Sequence, residues 1–172
     1  VGAELTSKWY VLRSKPHKER ILWRQLQDQG FEVFYPHILL HTVKPGVIKN
    51  KPLFPGYLFV NVNLDLVGKS TFNWMPLSNG LVSIDGKPAL VPEALINAIR
   101  RHLDSINTVS TRLFKLREKH GEIREQSEIN QGHEEFLDVT LPDTDRVKAL
   151  FRMLQGVHEP SELDIPDLTN RT

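Results

Sequence analysis

The 172-residue chain contains no cysteine, which excludes disulfides, zinc–thiolate sites and thiol catalysis. No apolar run approaches the roughly 20 residues that span a bilayer, so a membrane helix is not expected. Val1–Tyr10 lacks the cationic-then-apolar order of a secretory signal. A large charge of one sign is missing too: the net charge is +1, from 22 basic and 21 acidic residues. With 40% apolar and 25% charged residues, the composition fits a folded core and not a disordered chain. The expectation is a soluble cytoplasmic protein of one domain, or of one domain plus a small module.

The near-neutral total hides an asymmetry. Residues 1–110 hold 13 Lys/Arg against 8 Asp/Glu, a balance of +5, while residues 111–172 hold 9 against 13, a balance of −4. A basic front and an acidic tail suit a polyanion-facing domain with a second partner surface, or two parts that attract each other. Two ordinary solvated faces would give the same counts.

Lys8–Arg13 is aromatic and β-branched and reads as a strand. Ser14 is placed to cap a following helix, and Pro16 suits its first turn. Ile21, Leu22 and Leu26 mark one helical face, with Gly30 as a stop. Phe31–Tyr35 and Ile38–Thr42 read as strands broken by Pro36, and Val43–Pro52 as a mobile basic loop. Gly56–Val62 reads as a buried strand, and Leu64–Phe72 as a short helix. Asp85-Gly86 predicts a hairpin between Leu81–Ile84 and Lys87–Val91. Pro92 opens a helix with Leu95, Ile96, Ile99 and Leu103 at helical spacing. The fold class is therefore α+β, a mainly antiparallel sheet with helices on one face.

Small polar residues over Ser105–Thr111 suggest a linker, dividing the chain into 1–106, a linker at 107–112 and a C-terminal module at 113–172. In that module Glu118–Ile129 favours helix and Phe136–Leu141 favours strand. Asp145–Leu154 fits both templates. Val147, Leu150, Phe151 and Leu154 have helical spacing, and Val147, Ala149, Phe151 and Met153 alternate as in a strand. Periodicity does not arbitrate so short a stretch.

Catalytic motifs are missing. Gly68-Lys69-Ser70-Thr71 has the end of a phosphate-binding loop, but position 63, where its first glycine belongs, is Asn. His37 and His41 lack a third ligand, so surface histidines explain them better than a metal site. No nucleophile–base set or carboxylate pair has a supporting motif. The expectation is no catalytic residue, no metal and no cofactor.

Two features point to binding. Lys15, His17, Lys18, Arg20 and Arg24 cluster in the turn and first helix, where they suit several phosphates without reading bases. A solvated helix face is the plainer account of the same residues. The second feature is Pro52-Leu53-Phe54-Pro55-Gly56-Tyr57-Leu58-Phe59-Val60. Tyr57 and Phe59 share one sheet face, and Leu58 and Val60 the other. If the helices cover one side, an aromatic side needs another cover. A protein partner supplies one, and a plain buried strand is the alternative.

Taken with Lys8-Trp9-Tyr10-Val11-Leu12, the helix after Lys15 and Ala89-Leu90-Val91-Pro92, that string resembles the N-terminal domain of the NusG family over about residues 7–105. The specialised paralogue RfaH belongs to the same family. The resemblance implies a non-enzymatic elongation or antitermination factor. An apolar face would dock on the clamp helices of the largest RNA polymerase subunit, through Tyr57 and Phe59 with Ile84 and Ile96 as neighbours. Lys69, Ser70 and Thr71 occupy the place of a polar motif that touches the opposite jaw, although the residues differ. Lys15 matches a basic position near DNA of the elongation complex. A stand-alone nucleic-acid-binding module is the alternative function.

The family commonly adds a five-stranded barrel, the KOW domain, through which ribosome or Rho is contacted. Asp143–Leu168 is similar to its second half, notably Asp145–Lys148 and Glu162–Ile165. The glycine-rich first half is replaced by Glu118–Phe136, which has only Gly121 and Gly132. Losing turn glycines favours helix. The expectation leans to a helical hairpin that covers the Tyr57/Phe59 face, as in autoinhibited RfaH, with the barrel as the other outcome.

Overall fold

A computed structural model describes residues 6–42, 47–120 and 137–158. Strand β1 (Lys8–Ser14) leads to helix α1 (Glu19–Asp28), and β2 (Glu32–Phe34) follows. A hairpin of β3 (His37–His41) and β4 (Ile48–Pro52) comes next, then β5 (Tyr57–Val62). Two short helices, α2 (Leu64–Val67) and α3 (Ser70–Trp74), lead into β6 (Ser78–Leu81). β7 (Ser83–Ile84), β8 (Lys87–Pro88) and β9 (Leu90–Val91) precede two longer helices, α4 (Glu93–His120) and α5 (Asp143–His158).

The main sheet runs β2-β5-β1-β6, with β9 also on β1, and every pairing is antiparallel. β1 and β5 form its centre, in a register that sets Val11 against Phe59 and Leu12 against Leu58. Both strands are apolar on both sides, so each side requires a cover. Leu12, Leu58, Val60 and Val62 pack with Leu22 and Leu26 of α1 and Phe72 of α3. Trp9, Val11 and Phe59 pack with Ile96, Ile99 and Leu103 of α4 and with Leu150 and Leu154 of α5. Helices thus lie on both faces of the sheet, not on one as expected.

Several expectations are met and others are corrected. The Asp85-Gly86 turn is present, with φ of 51° and 75° at its two residues and Ser83–Ile84 paired to Lys87–Pro88. Ser14 does not cap α1. It ends β1 and its hydroxyl donates to the Lys15 carbonyl at 3.0 Å, while Lys18 holds the N-cap position without a side-chain bond. The expected basic loop contains a strand, because Ile48–Pro52 pairs with His37–His41 residue by residue. Pairing of this kind overrides weak local propensity. The 64–72 helix is split at Gly68.

The expected linker at 107–112 is helix, since α4 runs unbroken to His120. Asn107, Ser110 and Thr111 are polar because they bond β3. The Asn107 carboxamide oxygen accepts from Leu39 N–H at 2.9 Å, the Ser110 hydroxyl donates to the Leu39 carbonyl at 3.3 Å, and Thr111 bonds His41 at 3.2 Å. Residues 137–141 form a short 3₁₀ turn and bends instead of the expected strand. Asp145–Lys148 lies in helix α5 and not in a barrel strand. Glu162–Ile165 and most of Glu118–Phe136 lie outside the described residues.

Candidate functional site

The loop before β5 is built by its sequence. Leu53 and Phe54 are fully buried, and Gly56 takes φ 86°, a left-handed conformation that favours glycine. Its backbone is held on both sides. Ser14 N–H donates to the Gly56 carbonyl at 2.9 Å, and Gly56 N–H donates to Glu19 Oε1 at 2.7 Å. Glu19 is a buried carboxylate that sequence reasoning missed. Its only signal was an acidic residue in the first turn of α1, where it also favours the helix dipole.

From that loop β5 projects Tyr57 and Phe59 into one cluster. Phe59 has no exposed surface, stacks on Phe34 at 6.0 Å between centroids and meets Phe54 edge-on at 6.1 Å. Tyr57 is half-buried, and its ring meets Phe151 of α5 edge-on at 5.2 Å. Ile84 of β7 and Ile96 of α4 are buried in the same cluster. All four sequence-predicted apolar positions therefore belong to one cluster, to which α5 adds Ala149, Leu150 and Leu154 and sets Phe151 against Tyr57.

Polar bonds surround this apolar contact. Arg146 of α5 is fully buried. Its Nε donates to the Leu53 carbonyl at 3.2 Å, and its other nitrogens donate to the carbonyls of Leu141 and Val139 and to the Asp143 carboxylate. Lys51 of β4 pairs with Asp143 at 3.3 Å. His102 of α4 donates to the Leu137 carbonyl at 2.7 Å. Asp138 accepts from the Thr140 hydroxyl and N–H, which hold its carboxyl below the usual carboxylate range.

The basic residues lie elsewhere. Lys15, His17, Lys18, Arg20 and Arg24 are all exposed, and none pairs with a carboxylate among the described residues. Lys69 and Ser70 are exposed at the start of α3, whereas the Thr71 hydroxyl is spent on the Val67 carbonyl at 2.7 Å. His37 stacks on Tyr35 at 4.9 Å and donates to its carbonyl at 2.8 Å, and His41 stacks on Phe114 at 4.6 Å. Both histidines are packing groups of the hairpin. Tyr35, at the centre of that packing, has its phenol pushed up chiefly by burial and secondarily by Glu19.

A family model described as "Transcription termination factor nusG" matches residues 7–100, more than half of the chain. The chain belongs to the NusG family. This is a family of transcription elongation and termination factors, not of enzymes. The NusG match contains Tyr57, Phe59, Ile84 and Ile96 but stops at residue 100, before α5 and before the α4 residues that bond β3. A solved structure, "Domain interaction in Thermotoga maritima NusG", is similar at 20% identity over 58% of this chain and 58% of that one, with a TM-score of 0.44. Among the described residues no helix is long and apolar enough to cross a membrane.

Proposed function

We propose that this NusG-family chain is an elongation or antitermination factor that docks on RNA polymerase through Tyr57, Phe59, Ile84 and Ile96. We further propose that α5 holds the docking face closed. The observation that carries this reading is the Tyr57–Phe151 contact, in which an apolar face inside the family-matching region is covered by a helix from outside it. In the family's terms the clamp helices of the largest polymerase subunit would replace α5. Lys69, Ser70 and Thr71 are assigned to the opposite jaw, and Lys15, His17, Lys18, Arg20 and Arg24 to DNA of the complex. A ribosome or Rho contact would belong to a released, barrel-forming tail.

Displacement has an energetic condition. Burying Leu150 and Leu154 is worth about 1.5–3 kcal/mol each before ordering costs. The polymerase must prefer the open state by at least the net closing energy. The division of the chain follows from the same reasoning. Because Asn107, Ser110, Thr111 and Phe114 are tied to β3, the detachable part begins beyond Phe114 and not at the expected linker.

The test is a pull-down with purified polymerase. Tyr57 is half-exposed, so Tyr57→Ala should abolish capture while leaving circular dichroism unchanged. Phe151→Asp, which loosens the cover, should raise capture about tenfold or more, as a shift of about 1.4 kcal/mol requires. Capture by neither the parent chain nor Phe151→Asp would overturn the reading. Tight DNA binding without polymerase would favour the stand-alone nucleic-acid module, which the exposed basic residues also support.

A further inference from the structure

A cleft between the end of α2 and the β8–β9 edge takes no part in the apolar docking face. It encloses about 630 Å³, within the range of small-molecule sites. Its floor is the half-buried ring of Tyr10 on β1, with Leu64, Pro88 and Leu90 beside it. Leu90 is the pairing partner of Tyr10 on β9, so the sheet itself fixes this floor. Three lysines, Lys8, Lys69 and Lys87, line the same cleft and are all exposed. They come from β1, the α2–α3 junction and β8, so only the folded chain brings them together. None pairs with a carboxylate among the described residues.

Like charges gathered at one opening repel each other and create a local field that favours an anion. Asp65 is the one carboxylate in the lining, which leaves an excess of two positive charges. Burial, and secondarily Asp65, push the Tyr10 phenol up, so its hydroxyl stays a donor at neutral pH. The α2–α3 junction is held in place. Asn63 Oδ1 accepts from Asp65 N–H at 2.9 Å and from Leu66 N–H at 3.3 Å, and Gly68 takes φ 76°, a conformation that favours glycine. Asn63 thus caps α2 at the position where a phosphate-binding loop needs glycine. What Gly68-Lys69-Ser70-Thr71 contributes is a lysine side chain, not a cradle of backbone N–H groups.

We propose that this cleft binds a nucleoside diphosphate, with the base on Tyr10 and Leu90 and the phosphates on Lys8, Lys69 and Lys87. An inorganic anion would satisfy the lysines and leave the apolar floor in water. An uncharged aromatic would cover the floor and leave the lysines without counter-charge. Asp65 repels an anion from its own side of the cleft and accepts a hydrogen bond from an amino group or a ribose hydroxyl. A flat apolar body, hydrogen-bond donors and a multiply charged end are together the makeup of a nucleotide. The proposal does not depend on the docking reading.

The test titrates the full chain with magnesium-free ADP by isothermal calorimetry, in about 50 mM NaCl to limit screening. Saturable one-to-one binding is expected. Pyrophosphate alone and adenosine alone should each bind at least about tenfold more weakly, since each forfeits one set of contacts. Lys8→Ala and Lys87→Ala should each weaken ADP about tenfold or more, as loss of one charge-assisted hydrogen bond requires. Both side chains are exposed, so circular dichroism should be unchanged. Tyr10→Leu should weaken ADP and leave pyrophosphate as it was. Absence of saturable ADP binding by the parent chain would overturn the proposal. So would equal affinity for ADP and pyrophosphate, which is mere attraction of a polyanion to lysines, or undiminished ADP binding when Lys8 and Lys87 are both replaced by Ala. Displacement of ADP by an equimolar oligothymidylate would assign the lysines to nucleic acid and would also overturn it. Polymerase capture tests the docking reading separately, and Lys87→Ala should leave that capture unchanged.

Discussion

A guanidinium without exposed surface must replace its hydration with protein acceptors. Arg146 does so with three carbonyls and one carboxylate, and the one acceptor that lies in the family-matching region is the Leu53 carbonyl. Leu53 belongs to the loop that sets Tyr57, so the bond ties α5 to the base of the docking face. Removing the side chain leaves buried carbonyls unsatisfied, at about 1–3 kcal/mol. Arg146→Ala should accordingly detach α5 while the sheet stays folded. Hydrogen exchange should show the α5 amides losing protection and the β1 and β5 amides keeping theirs. Uniform loss across the chain would contradict this. The role is not legible in the sequence, because an arginine between Asp145 and Lys148 reads as a surface charge.

Elements were legible where pattern and turn chemistry agreed. β1, β5 and the Asp85-Gly86 hairpin follow from alternation and turn residues. β4 and the polar half of α4 do not, because each is held by a partner distant in sequence. β4 exists through its pairing with β3, and α4 continues past residue 106 because Asn107 and Ser110 serve the backbone of β3. α3 meets β6 under a comparable constraint. Gly80 has φ 84°, and a Cβ there would overlap the Asn73 carboxamide. Gly80→Ala should therefore destabilise the chain by about 1–3 kcal/mol, from backbone strain and overpacking combined. Chemical denaturation measures this, and Asn73→Gly in the same chain should recover part of the loss by removing the overlap.

At the scale of the whole molecule, the +5 front and −4 tail invite an electrostatic account of closure. The described contacts favour an apolar one. Between α5 and the front, Lys51 pairs with Asp143, and both side chains are substantially exposed. Exposed pairs contribute about 0–1 kcal/mol and weaken with salt. Ala149, Leu150 and Leu154 are buried, and apolar burial is not screened. Protection of the α5 amides should thus change little between about 50 mM and 500 mM NaCl, a range over which the Debye length falls severalfold. A loss of α5 protection would restore the electrostatic account.

The sequence alone determined the two-sided apolar strand at Tyr57–Val62 and the motif order of the family. Its limit was Asp145–Leu154, where helical and alternating patterns coexist. The tertiary structure decided between them, since Arg146, Ala149, Leu150 and Leu154 are the residues turned inward, three and four apart. A ten-residue pattern carries both periods at once. The surface it packs against, here the face around Tyr57 and Phe59, selects the one whose side chains it can bury.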